Sequence, residues 1–365
     1  MNRSKRTLRD SIRIIWAIAL KDMGDAIQNK TIQGLVVGIL MVMLTGRALP
    51  LLLGLSDAQT IVVLDEESSE LVPALQKSRG VRLVRVTSWE AMEEALTMSG
   101  DVSLGVVLPA GLDERIDAGQ PPRLEGYLAH WASEDDGAEL QAFFEKEFAA
   151  LAGEPLKIDI SAARVYPAPD SDRFPGMAAG VIALVTITVG LFLVPYLLIE
   201  EKQSKTIDAL LVSPASIREV VIGKTVAGTF YCLAATGVAL ALNHGLVVNW
   251  GVTLLATACG VLFAVACGLL LGSLFEQAPQ MQAAGAAVMA VLALPMFLVD
   301  FSANWPPLIR AVLSWLPSVT LADTLRISFS NVVPAGQVLS NLAVTSACGV
   351  AVLAVVAWKV RRSDR

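Results

Sequence analysis

Residues 200–224 read EEKQSKTIDALLVSPASIREVVIGK and connect two long apolar runs, Met177–Ile199 and Thr225–Val248. Each run is long enough to cross a bilayer, which takes about 20 mainly apolar residues in a helix. The connector is short and strongly charged, so it is expected at the membrane surface between two spans. We call residues 200–224 the elbow.

The elbow contains two short helical patterns. Thr206–Val212 predicts a brief helix, and Pro214 ends it because proline cannot continue a helix. Ser216 with Glu219 three residues later is a capping-box pattern for a second helix that runs into the next span. Two helices bent at a proline predict a protruding structure suited to docking. A solvated loop with ordinary helix caps fits the same residues.

The order of residues in the elbow resembles a loop of the type-2 permeases of ATP-binding-cassette (ABC) exporters. That loop has an acidic–basic opening, a threonine, a leucine pair, a Ser/Thr-Pro and a Gly-Lys. Lys205 departs from the pattern, because many members have glycine there. The residues that carry the resemblance are Glu200, Glu201, Lys202, Thr206, Leu210, Leu211, Ser213, Pro214, Gly223 and Lys224.

The resemblance implies partners and a role for the elbow. The elbow would be the coupling helix, docked on a separate ABC ATPase subunit. The chain would pair in the lipid bilayer with a second permease copy, identical or homologous. ATP and Mg²⁺ would be bound by the ATPase, with no cofactor, metal or catalytic residue in this chain. Gly223-Lys224-Thr225 imitates the end of a P-loop, but Arg218 stands where that motif needs its first glycine.

The composition indicates a membrane protein. Of the 365 residues, 54% are hydrophobic and 17% are charged, which is too apolar for one soluble core. The net charge of −6 argues against a nucleic-acid partner, since no dominant basic field exists. The four cysteines lie in apolar runs, which favours small buried side chains over a disulfide framework. His130 and His244 are too distant in sequence to suggest a metal cluster.

Residues 1–30 predict a basic amphipathic helix. Apolar residues recur at helical spacing from Leu8 to Met23, with lysines and arginines between them. Such a helix lies in the bilayer interface with its cationic face toward anionic headgroups. A signal peptide is the alternative, but the apolar core Ile14–Leu20 is short for one. Type-2 ABC permeases are similar in that they begin with a connecting helix of this kind.

Residues 31–53 contain the first predicted span, Gly34–Leu53. Arg47 lies toward its outer end, where a long side chain can snorkel to the interface. A charge at membrane depth is otherwise expensive, so a position in the translocation path is the alternative.

Residues 54–175 predict an α/β domain, because polar residues return and short β patterns alternate with helical ones. About 120 residues can bury a core of their own. His130-Trp131 fits a packed turn better than a ligand contact. A capping box of Thr87 and Glu90 predicts a helix to about Ser99. The other predicted helices are Ser68–Ser78 and Ser133–Leu151, and the predicted strands are Thr60–Leu64, Val81–Val86, Leu104–Leu108, Arg123–Leu128 and Ile158–Val165.

Residues 176–365 predict five further spans, which brings the total to six. Basic residues flank the amino terminus, the elbow and the carboxyl tail, which predicts that all three are cytoplasmic. The predicted fold class is an α-helical polytopic protein of the plasma or inner membrane, with six transmembrane helices. The extracytoplasmic α/β domain is inserted between helices 1 and 2. The five spans are Met177–Ile199, Thr225–Val248, Trp250–Phe275, Met281–Val299 and Asn341–Trp358.

Prolines interrupt residues 302–340, before the last span. Helical pieces at Leu308–Leu316 and Val319–Phe329 are too short to cross a bilayer. They predict re-entrant or interfacial helices on the outer face. Asp300 ends the fifth span, where it either caps a helix near the interface or contributes to an exit gate.

The predicted function is that of an exporter permease, which moves substrate outward by alternating access driven by the partner ATPase. A large outer domain between the first two spans is similar to the sodium- and drug-export-like branch of the family. The resemblance allows sodium ions, drugs, lipids or peptides as substrate. The alternative is an ATPase-coupled sensor whose external domain binds a ligand. A membrane enzyme is disfavoured, because the spans lack paired His, Asp or Glu for chemistry.

Overall fold

The computed structural model describes residues 8–28, 33–34, 37–38, 41, 59–65, 67, 69–78, 80–97, 102–119, 123–153, 155–169, 174–203, 217–298 and 306–363. The predicted first span lies mostly outside these ranges. Arg47, Asp300 and residues 204–216 of the elbow lie wholly outside them.

After the amino-terminal helix, the described residues form a strand-rich part and then a helical part. The strands are β1 Gln59–Asp65, β2 Val81–Val86, β3 Ser103–Leu108, β4 Leu124–Ala129 and β5 Ile158–Val165. The helices are α1 Leu8–Gln28, α2 Leu71–Gln76, α3 Trp89–Thr97, α4 Leu112–Asp117, α5 Glu134–Ala152, α6 Phe174–Gln203, α7 Ile217–Leu242, α8 Trp250–Leu274, α9 Ala278–Leu298, α10 Pro307–Ser314, α11 Pro317–Ile327 and α12 Ala335–Ser363.

The five strands form one mixed sheet in the order β2-β1-β3-β4-β5. All neighbours are parallel except β3 and β4. Strand alternation sends Ile61 and Val63 of β1 into one buried cluster and Val62 into another. The sheet therefore buries apolar side chains on both faces, with Phe144 and Phe148 of α5 on one side and Met92 and Leu96 of α3 on the other. We call this part the α/β unit.

The strands lie where the sequence predicts them, but two local details of the α/β unit differ. Helix α4 was not predicted, since six residues carry too little periodicity to identify a helix. The cap of α3 is Ser88 and not Thr87, because the Ala91 amide donates to Ser88 Oγ at 3.2 Å. The predicted capping box was therefore placed one residue too early.

Five helices are long and apolar enough to cross a membrane. They are Pro175–Ile199, Glu219–Leu242, Trp250–Leu274, Ala278–Met296 and Ala335–Lys359. Helices α10 and α11 are bent by 80° against each other and together make either a broken span or a re-entrant loop. The described residues thus contain five or six candidate spans, at the places where the sequence predicts spans two to six and the short helices.

The predicted span Thr225–Val248 is too long at its carboxyl end. Helix α7 stops at Leu242, and a 3-10 turn follows at His244–Leu246. Asn243 Nδ2 donates to the Ala239 carbonyl at 2.9 Å, which satisfies one of the unpaired carbonyls that a helix end leaves. The apolar run continues past this turn, so hydropathy alone does not mark where the helix ends.

Helix α6 is the central helix of the bundle, and 72% of its most apolar stretch of 18 residues is buried. It crosses α8 at a row of small residues spaced four apart, Ala264, Gly268 and Gly272. A Cβ at Gly268 would lie 2.0 Å from the carbonyl oxygen of Gly190 on α6. Small residues at a crossing let two backbones approach closely, which is how membrane helices gain packing energy.

Helix α7 connects the two ends of the helical bundle. Near its start, α1 packs on it through the buried Asp22 and Lys224 side chains. Beyond its last residue, the turn between β4 and α5 contacts Leu246 through His130. We call these the α1 end and the sheet end of the bundle.

Candidate functional site

The last two elbow residues lie at the α1 end, where an ion pair links them to the amino-terminal helix. Lys224 Nζ is 3.0 Å from Asp22 Oδ2. The two side chains are 2% and 7% exposed, so the pair is shielded from water. The elbow therefore ends in a contact between α7 and α1 and not in a free helix start.

Gly223 brings the two helices close enough for that pair to form. A Cβ at this position would lie 2.8 Å from Ile18 Cγ2 and 3.1 Å from the Ile15 carbonyl oxygen. Real Cβ atoms do not approach other heavy atoms to 2.8 Å, so any larger residue would push α1 away. The Gly-Lys pair of the elbow has a packing reason for its glycine and an electrostatic reason for its lysine.

A third contact lies two turns further along α7. Tyr231 Oη donates to the carbonyl oxygen of Met23, the residue after Asp22. Lys224, Ala227 and Tyr231 recur at helical spacing, and Ala227 is fully buried on this face. We define the clamp as Ile18, Asp22 and Met23 of α1 together with Gly223, Lys224 and Tyr231 of α7.

Loss of one partner of the clamp is costly, because the other partner is left buried. Removing one partner of a buried ion pair leaves an uncompensated charge and typically costs about 3–5 kcal/mol. Tyr231 adds a neutral hydrogen bond, which contributes about 0.5–1.5 kcal/mol. The charged groups are paired and buried, an arrangement suited to mechanical connection.

The clamp is continuous with the centre of the bundle. One turn after Lys224, a Cβ at Gly228 would lie 2.6 Å from Val194 Cγ2 on α6. Further along, Thr236 Oγ1 lies 2.8 Å from Thr186 Oγ1, and both hydroxyls are buried. The first half of α7 is therefore in close contact with α6, the most buried of the candidate spans.

The structure brings together only part of the predicted site. Gly223 and Lys224 are in the clamp. Glu200, Glu201 and Lys202 are the first residues of the elbow, and their backbones lie in the last turn of α6. The remaining predicted residues lie outside the described ranges, namely Thr206, Leu210, Leu211, Ser213, Pro214, Arg47 and Asp300.

Asp22 and Tyr231 were not predicted as site residues. Asp22 falls on the same face of α1 as Ile15 and Ala19, so it is an acid on the apolar side of a basic helix. That misplaced charge is the signal that could have identified it. Tyr231 carries no comparable signal, because a tyrosine within an apolar run is usually a packing residue.

A second polar cluster, also unpredicted, joins α11 to α12. Asp323 Oδ2 accepts hydrogen bonds from Gln337 Nε2 and Asn341 Nδ2, each at 2.9 Å. Its other oxygen accepts from Arg326, one turn later on α11. Deeper in the bundle, Thr320 Oγ1 lies 2.8 Å from Thr345 Oγ1. Helix α11 is therefore fixed to α12 by polar contacts along its length.

Comparison with protein families gives one match, to a family described as ABC-2 family transporter protein. The match covers residues 31–358, from the first predicted span to the last turns of α12. Comparisons with curated proteins and with solved structures gave no match. The match includes the described end of the elbow, the α/β unit and every candidate span. Since it extends over nearly the whole chain, this protein belongs to the ABC-2 family of transporter membrane proteins.

Proposed function

We propose that this chain is the permease of an ABC exporter that is driven by a separate ATPase docked on the elbow. Family membership supports a permease role in an ABC transporter. The observation that carries the coupling part of the proposal is the buried Lys224–Asp22 pair at the end of the elbow. It makes α1 and α7 respond together to any force applied to residues 204–216.

The proposed mechanism is alternating access. Closure of an ATPase dimer on ATP pushes the elbow, which joins the end of α6 to the start of α7. Because α7 is packed on α1 through the clamp and on α6 through Gly228, the push tilts these helices together. The tilt opens a path toward the outside at the interface between two permease copies.

The proposed orientation places the α1 end in the cytoplasm and the sheet end outside. Basic residues concentrate near the amino terminus, the elbow and the carboxyl tail, as expected for cytoplasmic segments. The α/β unit is then extracytoplasmic and inserted between the first two of six spans. A large domain in that position favours the sodium- and drug-export-like branch.

The proposal is tested by replacing Leu210 and Leu211 with aspartate. The double variant L210D/L211D is expected to insert normally but to lose copurification with the ATPase, because two charges disrupt an apolar docking contact. ATP hydrolysis by the reconstituted complex, measured across a panel of amphiphiles and salts, should lose its stimulation.

A matched control lies at the other end of the bundle. Leu308 and Val312 of α10 are 75% and 62% exposed, so L308D/V312D makes the same kind of change far from the elbow. This control should retain ATPase copurification. Full stimulation of L210D/L211D would refute the proposal, and so would loss of copurification in both variants.

A further inference from the structure

Helix α7 reaches from the clamp to the α/β unit. Its 26 residues rise about 1.5 Å each, so the helix is about 39 Å long. The clamp lies in its first turns, and the 3-10 turn His244–Leu246 follows its last residue. Any contact made by this turn is therefore mechanically connected to the elbow.

The turn His130–Trp131, between β4 and α5, makes that contact. His130 Nε2 lies 3.1 Å from the Leu246 carbonyl oxygen. Trp131 packs against the largest buried cluster of the bundle, and its Cβ lies 3.6 Å from where a Cβ at Gly245 would be. His130 also stacks on Tyr166, with ring centroids 4.9 Å apart and planes inclined by 18°. The sequence-based interpretation of this dipeptide as a packed turn is consistent with these contacts.

The hydrogen bond fixes which nitrogen of His130 carries the proton. A carbonyl oxygen only accepts, so Nε2 must donate to Leu246. In the neutral ring Nδ1 is then an acceptor, and it is buried with no hydrogen-bond partner among the described residues. Protonation would place a second N–H at Nδ1 and a positive charge in a buried position.

The charged groups around His130 do not compensate that charge. From β5, Arg164 faces the ring and donates to the Ala132 carbonyl oxygen at 2.8 Å. In the α7–α8 turn, His244 uses Nδ1 to contact the Ala241 carbonyl oxygen at 3.0 Å. The acids of the first turn of α5 are Glu134, Asp135 and Asp136; all three are exposed to solvent, and Asp136 is engaged in the capping box with Ser133.

Burial lowers the pKa of His130 below its ordinary value of 6.5, and the nearby Arg164 lowers it further. Backbone hydrogen bonds to Leu246 and Val165 raise the pKa, but they offset only part of the burial effect. The contact therefore favours neutral His130. Because the pKa is lower in contact than in water, the contact is strongest above pH 6.5 and weakens as the pH falls below that value.

We propose that the His130–Trp131 turn is a proton-sensitive latch, which holds the α/β unit on the outer end of α7 and releases it when His130 is protonated. Only the statement that this end faces outside rests on the proposed function. The latch itself is a property of the isolated chain, so it can be tested without any ATPase.

Hydrogen–deuterium exchange on the full chain in lipid nanodiscs tests the latch. The reporters are the amides of Leu246 and Val247, which are bonded within the 3-10 turn. After correction for the intrinsic effect of pH on exchange, their exchange should rise between pH 7.5 and pH 5.5. The limit for one linked proton is about tenfold per pH unit. The amides of α8 are the internal reference and should not change.

The two histidines of the chain provide a matched pair of variants. H130Q keeps a side-chain N–H donor but cannot be protonated, so its exchange should be the same at both pH values. H244Q should behave like the unmodified chain. A rise in exchange of less than about twofold in the unmodified chain would overturn the latch, since so small a change would mean that opening of the contact is not linked to proton binding. An undiminished rise in H130Q would overturn it as well.

A disulfide provides a test that does not depend on how H130Q folds. The 3.6 Å separation at residues 131 and 245 lies within the range of about 3.5–4.5 Å that disulfides span between Cβ atoms. Oxidised W131C/G245C should lose the effect of pH on Leu246 and Val247, and reduction should restore it. Persistence of the effect in the oxidised form would also overturn the latch.

Discussion

At the residue scale, Asp22 and Lys224 show how a local pattern and a distant partner combine. They are 202 positions apart in sequence and 3.0 Å apart in space. Neither would be stable alone on an apolar helix face, because a buried charge must be paired. The pair therefore specifies how α1 lies on α7 as well as holding it there.

We predict that K224M destabilises the protein by about 3–5 kcal/mol, because it leaves Asp22 buried without its partner. The measurement is the midpoint of thermal unfolding of the purified chain in detergent. K359M is the matched control, since Lys359 Nζ donates only to a carbonyl in the contacts described, that of Ser273 at 2.7 Å. Its cost should be smaller, about 1.5–3 kcal/mol.

The double variant D22L/K224M distinguishes a charge effect from general damage. Apolar residues in place of a buried pair are often neutral or stabilising, so it should recover most of the lost stability. A double variant as unstable as K224M would show that the charges do not act as a pair.

Sequence reasoning could identify one half of the clamp. The resemblance named Gly223 and Lys224, and the apolar face of the first helix could have revealed Asp22. Sequence reasoning could not connect Lys224 with Asp22, because residues 202 positions apart are brought together by packing and not by a periodic pattern. The contact of Tyr231 could not be predicted either, since its partner is the backbone carbonyl of Met23.

At the element scale, the crossing of α6 and α8 determines how the central helices transmit movement. Gly190 and Gly268 place two backbones in contact, so neither helix can shift without the other. Interfaces packed this closely move as units, since they leave no gap to absorb a small displacement.

We predict that G268A is strongly destabilising and that G251A, in the same helix, is not. A Cβ at Gly268 would lie 2.0 Å from the Gly190 carbonyl oxygen, whereas nothing lies within 4 Å of a Cβ at Gly251. Overpacking costs about 1–3 kcal/mol or more, while alanine in place of glycine in a free helical position favours the helix by up to about 1 kcal/mol. Thermal unfolding of both variants checks this, and equal midpoints would contradict the close crossing.

We predict that D323A loosens α11 from α12. Its carboxylate accepts from Gln337, Asn341 and Arg326, so the change removes three hydrogen bonds. The expected loss is about 1.5–3 kcal/mol, the range for hydrogen bonds to a charged group, because the Asp323 and Arg326 side chains are only partly buried. Ser340 is the control, because its hydroxyl is exposed and bonds only within its own helix. Hydrogen exchange of α11 should rise in D323A and stay unchanged in S340A.

Elements were predictable where the side-chain period was clear. Alternation in the α/β unit located all five strands, and long apolar runs located α6, α8 and α9. The predicted end of α7 was wrong because Leu246 and Val247 are apolar although they lie in or next to a turn that packs against the bundle. Burial of a turn imitates the continuation of a span, and hydropathy cannot separate the two.

At the scale of the whole molecule, α7 joins three features into one path. The elbow leads into α7 at the clamp. Contacts at Gly228 and Thr236 connect α7 to α6, and the latch connects the far end of α7 to the α/β unit. A force on the elbow therefore has a continuous route of packed side chains to the other end of the protein. The general layout was predictable from the resemblance and the hydropathy, but which helices are neighbours was not, because periodicity does not encode tertiary packing.

The central claim is that the elbow lies on the cytoplasmic face and is covered by an ATPase. Labelling of D208C with a membrane-impermeant maleimide tests it most directly, with the chain lacking this cysteine as background. Glu134 is exposed at the start of α5, so E134C serves as the opposite-side control.

The account predicts that D208C is labelled only in inside-out vesicles and is protected when the ATPase is bound. E134C should be labelled only in right-side-out vesicles. Labelling of D208C from the outside, or equal labelling with and without the ATPase, would contradict the account.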